Sequence, residues 1–309
     1  MGCIPFGNTD GAFFNFDDIS ACRKLQNAVY PLDTFKTTKI PDLVLNERRI
    51  LSIDIALMAS KRHKNDASSI MINSAIPTNN NNYISNIIYL ENFEGLLTNE
   101  LALVTRKLFK QYKCTDLVID AGGVGSGVFD LLVQDIVDPE TGELLNALSC
   151  CNNKEMAERC KVDNAPKVIW AIKASSSFNT EICMLLRNGF QNRKINLLVS
   201  EFECEEILKD KVRNFKNTNP DEQVKYKMPY INTTLLVYEL INLDHEINGT
   251  NIKIIEKTGA RKDRYSSLAY NYWVQCQLER ENLRVKKSKF DMNDYAKQLN
   301  LLNKRPNMY

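Results

Sequence analysis

Residues 49–58 (RILSIDIALM) constrain this chain more than any other stretch. They read as one strand, apolar except for a single carboxylate, Asp54, near its middle. Alternation puts Ser52, Asp54 and Ala56 on one face and Leu51, Ile53 and Ile55 on the other. A carboxylate in a central strand loses much of its hydration, a cost that a cation or strong donors must offset. The bland alternative is an edge strand with Asp54 on a solvated face.

Two more strands follow, at 67–76 (ASSIMINSAI) and 83–90 (YISNIIYL), after a polar turn and an Asn-rich loop at 79–82. This spacing predicts an antiparallel meander. Apolar residues at 97, 101, 104, 108 and 109 follow the helical period. A short buried strand, 115–119, ends at Asp120; a Gly-rich run (AGGVGSG) and a helix over 128–137 come next. A helix, then a strand, then a second helix implies a parallel crossover. Beyond the turn at 138–143, strands are expected at 168–171, 194–199 and 252–256. Helices are expected at 177–188, 201–215, 233–243 and 265–280. The order predicts an α/β fold: a mixed β-sheet, its first three strands antiparallel and the rest parallel, with helices on both faces. Residues 1–47 look like a peripheral linker or remnant, 48–285 the main domain, and 286–309 a polar, loosely ordered tail.

Several classes are disfavoured. No apolar run approaches the ~18 residues of a membrane span, and residues 1–16 lack the pattern of a signal peptide. The nine cysteines form no CxxC pair and fall partly within apolar patterns, which suits buried thiols in a reducing cytosol. The two histidines, His63 and His245, give little support to a histidine-based zinc hydrolase or a Ser-His-Asp enzyme. Net charge is only +2, so a nucleic-acid partner has to be argued from local patches.

Two further acids invite chemistry. Asp120 ends a buried strand (LVID), and strand carboxyl ends are where α/β sites gather; a turn or cap aspartate is the alternative. Asp263 lies in TGARKDRYSSLAY, at the start of the long helix. It could simply cap that helix, but Arg261, Lys262 and Arg264 flank it, a grouping that suits a phosphate held beside a bound metal. Asp66 is a weaker candidate and reads better as a turn acid. Gly122, Gly123, Gly125 and Gly127 match neither G-x-G-x-x-G nor Walker A, so a sharp strand-to-helix turn is favoured over a nucleotide cradle. Basic residues gather in two runs: one holds Lys253, Lys257, Arg261, Lys262 and Arg264, the other Arg280, Arg284, Lys286, Lys287 and Lys289.

The wording around these acids is more telling than the acids alone. ILSIDIA, KNDASSIMI, LVIDAGGVGSGVFDLL, YINTTLLVYELINLD and KDRYSSLAYNYW together resemble the C-terminal nuclease domain of the large terminase subunit of tailed bacteriophages, across roughly residues 48–280. The resemblance implies an RNase H-like fold and a metal-dependent endonuclease that cuts double-stranded concatemeric DNA during genome packaging. It implies Asp54, Asp120 and Asp263 as metal ligands for two Mg²⁺ or Mn²⁺ ions, with Asp66 as an accessory. Arg261, Lys262, Arg264, Lys257, Lys286 and Lys287 are the expected DNA contacts, mainly to phosphates and with low sequence selectivity. The packaging ATPase domain, small terminase subunit and portal are the implied partners, and the host cytoplasm the implied location. GAFFNFDDISAC at 11–22 resembles the stretch that joins ATPase and nuclease domains, yet no Walker A loop occurs, which suggests an isolated nuclease portion. Two other readings stay open: a junction resolvase or transposase-like nuclease of the same fold, and an actin-like nucleotide-binding ATPase. The last usually wants a Gly-rich turn after the first strand, where this chain has LMASKRHKN.

Overall fold

The computed structural model describes residues 12–36, 38–56, 67–80, 82–212, 214–256 and 261–302, with side chains as far as residue 284. The chain opens with α1 (Phe16–Ser20), β1 (Arg23–Leu25), β2 (Arg48–Asp54), β3 (Ser68–Pro77) and β4 (Tyr83–Phe93). Then come α2 (Thr98–Gln111), β5 (Asp116–Asp120), α3 (Gly125–Leu132), β6 (Ile136–Val137), β7 (Leu144–Leu145) and β8 (Ser149–Cys150). α4 (Lys154–Glu158), β9 (Lys167–Ile172), α5 (Ser176–Gln191), β10 (Ile195–Leu198) and α6 (Glu201–Lys211) follow. The chain closes with α7 (Pro220–Ile241), β11 (Leu243–Asn248), β12 (Asn251–Glu256) and α8 (Asp263–Leu302).

Eight strands form one mixed sheet in the order β1-β10-β4-β3-β2-β5-β9-β8. The meander β2-β3-β4 is antiparallel, and β5, β9 and β8 add in parallel beyond β2. This is the RNase H-like mixed sheet expected from the sequence. β2 is therefore central, not an edge strand, which disposes of the solvated-edge alternative for Asp54.

The two-residue strand period divides the core. Leu51, Ile53, Leu117 and Ile119 pack with residues of α2 and α3, such as Leu101, Leu108 and Phe129. Ile50, Val118 and Trp170 join the opposite layer, with Leu186 of α5, Leu236 of α7 and Leu268 of α8. The second layer is unusually polar where α8 crosses the sheet. Ser267, Asn271, Gln275 and Glu279 recur every four residues and so lie on one helical face. The Ser267 and Ser52 hydroxyls bond at 3.0 Å, and Asn271 donates to the Ile50 carbonyl at 2.8 Å. Ser85 donates to Gln275 Oε1 at 2.6 Å, and the Tyr83 amide donates to Glu279 at 2.8 Å. Hydrogen bonds are directional where apolar contacts are not, so this stripe fixes the axial register of α8 on β2, β3 and β4.

Three expectations need correction. Within the segment read as peripheral, Phe13, Phe14, Ile19 and Cys22 are buried in the core, and β1 pairs in parallel with β10. A three-residue strand and a five-residue helix carry too little periodicity to be read from sequence. The segment after 285, read as loosely ordered, continues α8 to Leu302. The helix expected at 233–243 begins at Pro220, and residues 243–248 instead form β11, the first strand of a hairpin with β12. Among the described residues no helix is long and apolar enough to cross a membrane.

Candidate active site

Asp54 and Asp120 are the last residues of β2 and β5, which run side by side in parallel with Ile53 opposite Ile119. Neighbouring strands lie about 5 Å apart, so the two acids leave the sheet at the same end on adjacent strands. Ile50 and Val118 belong to the layer beneath α8, and the period of two puts Asp54 and Asp120 on that same side. α8 begins there with Asp263. Asp263 Oδ2 accepts from the Ala67 amide at 3.4 Å, which ties the helix start to the residue just before β3.

The cap role weighed for Asp263 as the alternative is filled by another residue. The Lys262 carbonyl accepts the first helical bond, from the Ser266 amide at 2.8 Å, so Lys262 holds the cap position and Asp263 is the first helical residue. The next two amides, of Arg264 and Tyr265, donate to Glu239 Oε2 at 3.0 and 3.1 Å. Glu239 comes from α7 and was not singled out in the sequence. Its signal was legible: an acid inside the apolar run LLVYELI, the same kind of oddity that marks Asp54.

Burial pushes the Asp54 carboxyl up to about 8, with the Asp263 and Asp120 charges pushing further the same way. A hydrogen bond from Ser266 and the Lys262 charge oppose this only in part. Asp54 thus lies within reach of the charges of both Asp263 and Asp120, in a poorly hydrated place.

Asp120 is held by its own turn. Its Oδ1 accepts from the Gly122 amide at 2.9 Å. A Cβ on Gly125 would stand 1.7 Å from the Asp120 carbonyl oxygen, so only glycine lets α3 start this close to the strand end. The amides of Gly125, Ser126 and Gly127 donate within the loop, to Gly122, Gly123 and Val124. That is the use of a tight turn rather than of a phosphate cradle.

The expected DNA contacts separate into distinct groups. Arg261 donates to Glu94 from the surface at 3.1 Å, and Lys262 pairs with Glu256 at 2.5 Å. Arg264 is 7% exposed and its Nη1 donates to Glu239 at 2.6 Å. Its guanidinium is part of the interior, so Arg264 is withdrawn as a DNA contact: in the first turn of α8 it points into the layer against α7. Asp66 and Lys257 lie outside the described residues, as do the side chains of Lys286 and Lys287.

A cavity of about 460 Å³ opens beside Asp54 between α5, β12 and α8, lined by Asn179, Lys253, Lys262, Ser266 and Tyr270 among others. Among the described residues no group of three or more His, Cys, Asp or Glu side chains is arranged ready to hold a metal ion. Donor type and electrostatics nevertheless suit a divalent cation. The donors are carboxylate oxygens, and a carboxyl raised first by burial and then by its neighbours' charges is one that a cation would relieve.

The fold is an RNase H-like α/β domain, with Asp54 and Asp120 at the carboxyl ends of two adjacent central strands. The chain is similar to nuclease domains of phage large terminases. The large terminase nuclease from thermophilic phage G20c, with bound magnesium, matches over 85% of this chain and 97% of that one, at 13% identity and TM-score 0.47. The nuclease domain of the large terminase subunit gp2 of bacterial virus Sf6 matches over 84% and 98%, at 11% identity and TM-score 0.47. The Thermus phage P74-26 large terminase nuclease domain matches over 83% and 93%, at 12% identity and TM-score 0.44. No family model matches the sequence, and no curated protein does.

Proposed function

We propose that this chain is a divalent-metal-dependent endonuclease that hydrolyses phosphodiester bonds in double-stranded DNA, in the setting of phage genome packaging in the host cytoplasm. The observation that carries the reading is Asp54: a carboxyl on a central strand, raised by burial and by the charges of Asp263 and Asp120. Such a cluster destabilises the protein by itself, and binding of cations is the use that offsets it. Asp54, Asp120 and Asp263 would hold the ions, two of Mg²⁺ or Mn²⁺. Bound there, they supply Lewis acidity and charge compensation at the scissile phosphate.

The chain's own residues do the rest. The Gly125 turn holds Asp120, and the polar stripe holds to the sheet the body of the helix that Asp263 opens, so little reorganisation is needed when substrate arrives. Lys262 and Arg261 flank the cluster, and their present partners, Glu256 and Glu94, are at least partly exposed. Exposed ion pairs are weak, so a DNA phosphate can replace the carboxylate. Lys253 lines the cavity next to Asp54 and would be a third phosphate contact. These are contacts to backbone charge, which favours low sequence selectivity. The packaging ATPase domain, small terminase subunit and portal are the proposed partners.

Supercoiled plasmid incubated with the chain tests the reading. Nicking and linearisation with Mn²⁺ or Mg²⁺, abolished by EDTA, is the expected result. Equal cleavage in EDTA would rule out the metal mechanism, and cleavage confined to branched DNA would point to a junction resolvase.

A further inference from the structure

Glu239 occupies an expensive position. It sits on α7 in the run LLVYELI, is 6% exposed, and bonds to Arg264, which is also buried. A buried ion pair usually adds little stability over a well-packed apolar pair. Here the pair is also incomplete, because Arg264 Nε is buried without a hydrogen-bond partner. What an apolar pair cannot provide is an acceptor, and Glu239 Oε2 takes the amides of Arg264 and Tyr265 at 3.0 and 3.1 Å. The first amides of a helix have no partner within the helix and are normally satisfied by a local Ser, Thr, Asp or Asn. Lys262, at the cap position, cannot do this. α8 thus borrows its cap from α7, and the borrowed bonds lock the first turn of one helix to the side of another.

That first turn begins with Asp263. Asp263 also heads the four-residue stripe that continues through Ser267, Asn271, Gln275 and Glu279, whose bonds fix α8 on the sheet. The stripe anchors the helix from the second turn onward, while Glu239 anchors the turn that fronts the carboxylate cluster. We propose that Glu239 is a positioning residue: by capping α8 from α7 it sets where Asp263 stands relative to Asp54 and Asp120, and so sets the affinity of the cluster for a divalent cation. This rests on the nuclease reading above, since it supposes that the three acids share a metal.

Two double variants separate the acceptor from the ion pair. Glu239→Gln with Arg264→Met removes both charges but keeps an oxygen able to accept both amides. Glu239→Leu with Arg264→Met removes the charges and the acceptor. Replacing a buried pair by apolar residues of similar volume is generally tolerated, so the Leu variant is expected to fold; the Gln variant keeps the shape of Glu239 and its acceptor and is expected to fold as well. Mn²⁺ binding to the full chain, measured by electron paramagnetic resonance of the unbound ion, is the readout. The Gln variant should bind within about threefold of wild type and the Leu variant at least about tenfold more weakly, the usual scale for groups that orient metal ligands. Wild-type affinity in the Leu variant, or equal losses in both, would overturn the proposal. Absence of Mn²⁺ binding by wild type would instead overturn the nuclease reading, and this inference with it. Amide exchange in the wild-type protein gives a check independent of folding: the Arg264 and Tyr265 amides should be protected like those of the helix interior. Exchange as fast as at an uncapped helix end would refute the cap.

Discussion

Replacing Asp54 by Asn should stabilise the metal-free protein, and by an amount that grows with pH. The Asp54 carboxyl is held near 8 against an ordinary value of 3.8. Between those values the folded protein binds a proton that the unfolded chain releases, so stability falls as pH rises through this window. At about 1.4 kcal/mol per pH unit, full expression of the gap would cost roughly 6 kcal/mol. Asp54 keeps partial access to solvent, and screening brings the expected cost to roughly 2–4 kcal/mol. Asn keeps the shape and has no proton to lose in this range. Urea unfolding of both proteins in EDTA at pH 5 and pH 8 reads the difference directly. Glu239, which burial also raises, is common to both proteins and largely cancels. The variant should gain about 2 kcal/mol or more over wild type on going from pH 5 to pH 8. Parallel pH profiles would show that Asp54 is not the strained, clustered acid described above.

Asp263→Asn should leave the protein folded, because the cap belongs to Glu239, and abolish metal-dependent plasmid cleavage; near-normal cleavage by a folded variant would remove Asp263 from the site. Gly125→Ala should cost several kcal/mol in urea unfolding, roughly at or above the upper end of overpacking penalties, because the new methyl meets the Asp120 carbonyl oxygen. Arg264→Ala strands a buried carboxylate and should cost about 3–5 kcal/mol, whereas Arg261→Ala should keep stability and weaken DNA binding in low salt; the opposite pattern would reverse the reassignment of Arg264.

Much of this was legible in the sequence because its signals are local. The meander showed in three alternating runs, and Asp54 stood out as an acid among apolar neighbours. Asp120 was marked by the strand end and the glycines that follow it. What the sequence withheld depends on pairing at a distance. β1 is three residues long and acquires meaning only beside β10. The basic cluster around Asp263 looked uniform, yet helical geometry sends Arg264 inward to Glu239 and leaves Arg261 at the surface. Ser267, Asn271, Gln275 and Glu279 are spaced at four residues, which sequence shows, but a polar stripe at that spacing ordinarily faces water. Only the sheet's own polar groups, Ser52, Asn73 and Ser85, reveal why it faces inward.

The most direct test of the central claim is anomalous diffraction from crystals of the full chain grown with Mn²⁺. Anomalous peaks should lie within direct ligand distance of the carboxylates of Asp54, Asp120 and Asp263. Manganese bound elsewhere while these three acids remain without it would contradict the account.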